Sequence, residues 1–143
     1  MSVEQDKALF RRLVEEVFNK GDVSTIDELL APNFVEREVL PPGTPSGREG
    51  VKQLTMMFRT AFPDFNVRLD DLIAEGDKVV ARSTWSGTQK GEFMGIPPTG
   101  RRVSFDVIDI LRVSGGKFVE HWGVMDSSAL MQQLGVIPAG PPA

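Results

Sequence analysis

The chain predicts an α+β fold, with helices gathered on one face of a mostly antiparallel sheet. Three observations carry this. Apolar residues recur with a helical period as far as Pro63. From Phe65 to Val124 the period is two. Gly or Pro punctuates nearly every change of element.

The elements follow in order. Phe10, Leu13, Val14 and Val17 stand at i, i+3, i+4 and i+7, which predicts a first helix that Gly21 ends. Ser24 with Asp27 reads as a capping box opening a short second helix through Leu30, which Pro32 stops. Phe34 to Glu38 is a short extended piece, and Pro41-Pro42-Gly43-Thr44-Pro45 is a loop. Ser46 with Glu49 is a second capping box. Val51, Leu54, Phe58, Ala61 and Phe62 form the buried face of a third helix, closed by Pro63.

Beyond it Phe65, Val67 and Leu69 alternate with Asn66, Arg68 and Asp70, the pattern of a half-buried strand. Glu75-Gly76-Asp77-Lys78 turns that strand into Val79–Thr88. Arg101–Val113 is a third long strand, and Ser114-Gly115-Gly116-Lys117 turns it into Phe118–Val124. Asp126 caps a last helix through Leu134, and Gly135 ends it. Residues 1–137 therefore read as one domain, and 138–143 as a Pro/Gly tail that frays.

Composition narrows the function classes. The chain has 143 residues, 41% hydrophobic and 25% charged, enough to bury one real core. A net charge of -4 without a basic stripe argues against a nucleic-acid partner. The absence of Cys excludes disulfides, thiolate catalysis and cysteine metal sites, and suits a cytoplasmic location. The polar N-terminus lacks the apolar stretch of a signal peptide, and no run suits a membrane span. One His and no paired-ligand spacing argue against a metal. No phosphate loop, dinucleotide fingerprint or G-x-S-x-G elbow is present, so cofactor-free chemistry is expected.

Two segments are more specific: Thr88-Gln89-Lys90-Gly91-Glu92-Phe93-Met94-Gly95-Ile96-Pro97-Pro98-Thr99-Gly100, and Gly115-Gly116-Lys117-Phe118-Val119-Glu120-His121-Trp122. Together they resemble the SnoaL-like polyketide cyclase (ester cyclase) family, over about Leu9 to Leu134. The resemblance implies the cone-shaped α+β fold of nuclear transport factor 2 and the ketosteroid isomerases. It also implies a cofactor-independent cyclase or isomerase acting by acid/base chemistry on a polyketide-like or other hydrophobic carbonyl compound. Pairing through the convex sheet face into a homodimer is part of the same expectation.

Strand parity selects the candidate residues. Phe105, Val107, Asp109 and Leu111 share one face, and Val119, His121 and Gly123 share one face of the next strand. Asp109 lies between Ile108 and Ile110, where an apolar pocket would raise its pKa toward that of a general acid/base. On the solvent face it would instead pair with a cross-strand Arg or Lys. His121 titrates nearest neutrality and falls where the family's pocket histidine lies, so it is either a proton shuttle or enolate donor, or a structural histidine bonded across the sheet.

The resemblance also places an acid/base aspartate two residues after that histidine, where this chain has Gly123, and a histidine in the first strand, where it has Arg37. Arg37 either binds an anionic or carbonyl oxygen or pairs with Glu36 or Glu38 at the surface. Phe34, Phe58, Phe62, Trp85, Met94, Phe105 and Val107 are expected to form the hydrophobic substrate wall, with the Phe93–Pro98 loop over the rim or against another subunit. Ile108, Ile110 and Trp122 on the opposite face would suit a dimer contact. An epoxide or lactone hydrolase on the same fold, or a non-catalytic carrier of a hydrophobic small molecule, are the alternatives.

Overall fold

The computed structural model describes residues 2–138, so all but the first residue of the expected tail lies outside the described residues. Helix α1 (Val3–Arg12) starts at Ser2, whose hydroxyl accepts from Gln5 N while the Gln5 side chain accepts from Ser2 N, a reciprocal cap. The apolar stripe continues past Arg12, but the winding changes: Leu13–Asn19 is a π-helix. The i, i+3, i+4 stripe does not report this extra residue per turn. Phe18, within the π turn, meets Trp85 at 5.6 Å between ring centroids. Asn19 then binds Val67 through both amide groups, at 3.0 and 2.7 Å, as a strand neighbour would.

Neither capping box expected between Ser24 and Glu49 forms. Ser24 donates its hydroxyl to Asp22 instead, Val23–Thr25 is a 3-10 turn, and α2 is only Ile26–Leu29. Ser46 stands at the N-cap of α3 (Gly47–Ala61) without a side-chain hydrogen bond. The helix forms because one face, with Thr55, Phe58 and Ala61, is buried against the sheet.

Five strands follow: β1 (Leu30–Glu36), β2 (Asn66–Glu75), β3 (Lys78–Thr88), β4 (Arg102–Ser114) and β5 (Lys117–Met125). Their spatial order is β1-β5-β4-β3-β2. Every neighbouring pair is antiparallel except β1 with β5, which is parallel. On β3 and β4 the odd-numbered residues from Val79 to Trp85 and from Val103 to Val113 are buried, and most even-numbered ones are not. Strand β5 departs from simple parity. Arg112 pairs with Glu120 but Val113 pairs with Phe118, leaving Val119 as an extra residue in a bulge. The phase slips there, so Phe118, not Val119, is the fully buried residue at that end of the strand. From Glu120 onward the expected alternation holds, with His121 opposite Leu111 and Gly123 opposite Asp109.

Asp126 caps α4 (Ser127–Leu134) by accepting from Ala129 N, and Gly135 closes it at φ 80°. The long loop between β3 and β4 is organised by Gln89, which has no exposed surface. Its amide donates to Gly91 O and Ile96 O, and its oxygen accepts from Thr99 N and Oγ1. Lys90 N and Gly91 N both donate to Ala61 O. A Cβ at Gly91 would fall 2.8 Å from Thr60 O, so this contact with the end of α3 requires glycine.

Candidate functional site

Between the helices and the concave face of the sheet lies a narrow cavity of about 50 Å³. One wall is apolar, with Phe34, Phe58, Trp85 and Val107; the opposite end carries Glu36, Glu38, Asp109 and His121. Asp109 is 7% exposed despite its charge. Its register opposite Gly123, two pairs from Leu111–His121 and on the same face, brings the carboxyl to the imidazole. His121 Nε2 donates to Asp109 Oδ1 at 2.6 Å, and His121 Nδ1 donates to Glu36 Oε2. The parallel register Glu36–His121 sets up this second contact.

The imidazole is thus held between two carboxyl groups. Burial pulls its pKa down, but the hydrogen bonds and charges of Asp109 and Glu36 outweigh that and raise it to about 10. At neutral pH the ring is a cation with both N–H groups committed. Glu38 stands beside this trio. Burial pushes its carboxyl upward, the charge of His121 pulls it down, and Asp109 and Glu36 push it up again, leaving it raised. Glu38 Oε2 and the His121 ring both lie over Gly123: a Cβ there would sit 2.8 Å from Glu38 Oε2 and 2.8 Å from His121 Cε1. Gly123 is the floor on which the two side chains rest.

The expected wall divides. Phe34, Phe58, Trp85 and Val107 border the cavity. Phe62 and Phe105 do not; they are buried behind Phe58, with ring centroids at 6.2 and 6.4 Å from it. Met94 is 51% exposed and borders an outer cleft instead of the inner cavity. Arg37 does not point into the cavity. It lies between the inward Glu36 and Glu38 on β1 and its continuation, so alternation turns it outward. There its Nε donates to Glu120 at 2.8 Å, not to Glu36 or Glu38.

Glu36 and Glu38 are the site residues that sequence reasoning passed over. The available signal was their common parity with Phe34. Glu36, Glu38 and His121 each bring one donor atom within 4.8 Å of the others. A cation could bind there only if His121 lost its proton and released Glu36 or Asp109, which its raised pKa opposes.

A sequence profile of the SnoaL-like polyketide cyclases matches residues 8–134. The chain belongs to the SnoaL-like polyketide cyclase family. Its α+β architecture is that of the nuclear transport factor 2-like proteins. Among the relatives of this SnoaL-like protein is the nogalonic acid methyl ester cyclase of Streptomyces nogalater, 30% identical over 120 residues, covering 82% of this chain and 89% of the relative. The aklanonic acid methyl ester cyclase DnrD of Streptomyces peucetius is 30% identical over 135 residues, covering 89% and 88%. In structure the chain is similar to TsrD from Streptomyces laurentii, with TM-score 0.87, 35% identity, and 96% and 99% of the two chains covered. No helix among the described residues is long and apolar enough to cross a membrane.

Proposed function

We propose that this SnoaL-like protein closes a ring in a polyketide-type carbonyl compound by acid/base chemistry of its own side chains. The observation that carries the reading is the Glu36–His121–Asp109 chain at the polar end of an otherwise apolar cavity. Asp109 takes a proton from a carbon α to a carbonyl. The enolate carbon attacks a second carbonyl of the same molecule, and the resulting alkoxide takes a proton from Glu38. The substrate gains and loses no atoms.

The roles follow from the geometry. Asp109 borders the cavity; its Oδ1 is held by His121 Nε2, while Oδ2 has no hydrogen-bond partner among the described residues. His121 has no N–H left for an enolate oxygen, so it positions Asp109 and balances its charge. Glu38, whose carboxyl burial pushes upward, is the remaining donor; such a donor is worth ~3 kcal/mol to a developing oxyanion. Arg37 has no part in this reading.

The test uses aklanonic acid methyl ester, the compound class for which the relatives are named. Asp109→Asn and Glu38→Gln should each lower turnover by ~10²–10⁴-fold while circular dichroism still reports a folded chain. Turnover unchanged in Asp109→Asn removes the mechanism. A product heavier than the substrate by one oxygen would remove the ring closure itself.

We also propose a homodimer through the outer sheet face, where Ile108 and Val124 are 49% and 72% exposed. Light scattering at micromolar concentration should give twice the chain mass, and a monomer mass would end this part.

A further inference from the structure

Two charged chains cross the same three strands, back to back. On the inner face Glu36 of β1, His121 of β5 and Asp109 of β4 stand as acid, base, acid. On the outer face Arg37 at the end of β1, Glu120 of β5 and Arg112 of β4 stand as base, acid, base. Glu120 is the centre of the outer set. Its Oε2 accepts from Arg37 Nε at 2.8 Å, and its Oε1 accepts from Arg112 Nε at 3.1 Å. The two arginines hold its carboxyl below its ordinary pKa.

The plain alternative is two ordinary surface ion pairs, which add little to stability. Their place in the fold says more. Strand β1 meets β5 in register at Leu30–Phe118 and, after an irregularity, at Val35–Glu120 and Glu36–His121. Arg37 N donates to His121 O at 2.8 Å, and there the ladder ends, because residues 37–46 belong to no strand or helix. Glu38 therefore lies beyond the sheet, with its backbone N–H on Glu36 Oε2 at 3.3 Å. On the other side of β5, the register with β4 shifts between Arg112 and Val113, beside the bulge at Val119. Both arms of the outer bridge thus close where strand pairing ends or slips. A slip of one residue in β1 would turn Arg37 inward against the His121 cation, and would put Glu36 and Glu38 outside against Glu120. The charges on the two faces oppose that slip together.

We infer that Arg37 and Glu120 are positioning residues: their bridge on the outer face holds the end of β1 in the register that turns Glu36 and Glu38 toward His121 and the cavity. Neither residue borders the cavity. The inference rests on the cyclase reading above for what those carboxyl groups do, and on the bridge alone for where they stand.

The chain has one histidine, so its two ring N–H protons give unambiguous NMR signals. Nδ1–H reports Glu36 on β1, and Nε2–H reports Asp109 on β4. Arg37→Met should shift or broaden the Nδ1–H signal and leave Nε2–H in place. Turnover of aklanonic acid methyl ester should fall about tenfold, since a small misplacement of a reacting group is costly. Melting temperature should change little. Arg37→Lys, which keeps the charge and a donor, should restore most of the signal and the turnover. Glu120→Gln should act as Arg37→Met does, and the double variant should be no worse than Glu120→Gln alone. Both ring signals unchanged in Arg37→Met, both lost together, or additive losses in the double variant would each overturn the inference. If Nδ1–H moves while turnover is unchanged, the bridge stands and the cyclase reading falls. If the ring signals stay in place while Asp109→Asn loses turnover, the cyclase reading stands and the bridge falls.

Discussion

The two ends of the cavity are built from opposite materials. At the β2–β3 end, Phe58 has Trp85, Phe93 and Phe65 at 5.1, 5.3 and 5.5 Å between ring centroids, with Phe62 and Phe105 slightly farther. The single polar atom among these rings, Trp85 Nε1, donates to Ser83 Oγ at 3.2 Å. At the β1–β5 end, four ionisable groups line the same cavity. Packed rings contribute stability through buried area and favourable edge and stacked contacts. Buried ionised groups cost stability and persist where their charges are paired. One end of the same sheet therefore holds the fold together, and the other keeps protons in unusual places.

That division can be broken at either end. The largest stability effect is expected at the aromatic end: Phe58→Ala should cost about 3–5 kcal/mol, read from chemical denaturation, by leaving a void among five rings. A loss below ~1 kcal/mol would mean that the rings collapse to fill it and the end is less rigid than its contacts suggest. At the polar end Gly123→Ala should cost less, about 1–3 kcal/mol: the end of the flexible Glu38 side chain can yield, although the clamped His121 ring has to shift with it. It should cost more in turnover than in stability, since the yielding group is the proposed proton donor. Equal loss of both would place Gly123 with the structural end.

The polar end also predicts a pH dependence. His121 has a folded pKa raised to about 10 from 6.5, so the folded state binds its proton more tightly than the unfolded chain does. Its stabilisation is complete below pH 6.5 and is lost as pH rises toward 10. Glu38, also raised, acts in the same direction from pH 4.5 upward. The chain has one His, no Cys and no Tyr, so few other side chains titrate between pH 7 and 9.5. The stability difference between wild type and His121→Gln should shrink steadily over that window in denaturant titrations. A constant difference would mean that His121 is not a clamped cation.

Much of this was legible in the sequence, and the reason is periodicity. Alternation on β4 puts Asp109 among inward residues whatever the partner strand does, and the Ser114–Lys117 turn brings His121 alongside. The aromatic wall was only half legible. A Phe on the right face belongs to the core whether it borders a void or lies behind it, and only packing separates Phe58 from Phe62 and Phe105. Parity along Phe34, Glu36 and Glu38 was also readable, but nothing in so short a strand says which face is inner, so Arg37 was as eligible as its neighbours. The bulge at Val119 and the π winding after Arg12 each insert one residue into a regular repeat, and an insertion of that kind leaves no mark in composition. The capping boxes at Ser24 and Ser46 failed differently: the residue types are present, but Ser24 had a nearer partner in Asp22.

The bare backbone at Gly123 has a consequence for redesign. Grafting an aspartate there, to copy the acid that the family resemblance implies on this strand, would not add a proton carrier to the existing set. The new side chain would claim volume already occupied by Glu38 and His121. Such an exchange has to be made as a swap, with position 38 shortened in the same step, and the strand that carries the acid then changes from the first to the last.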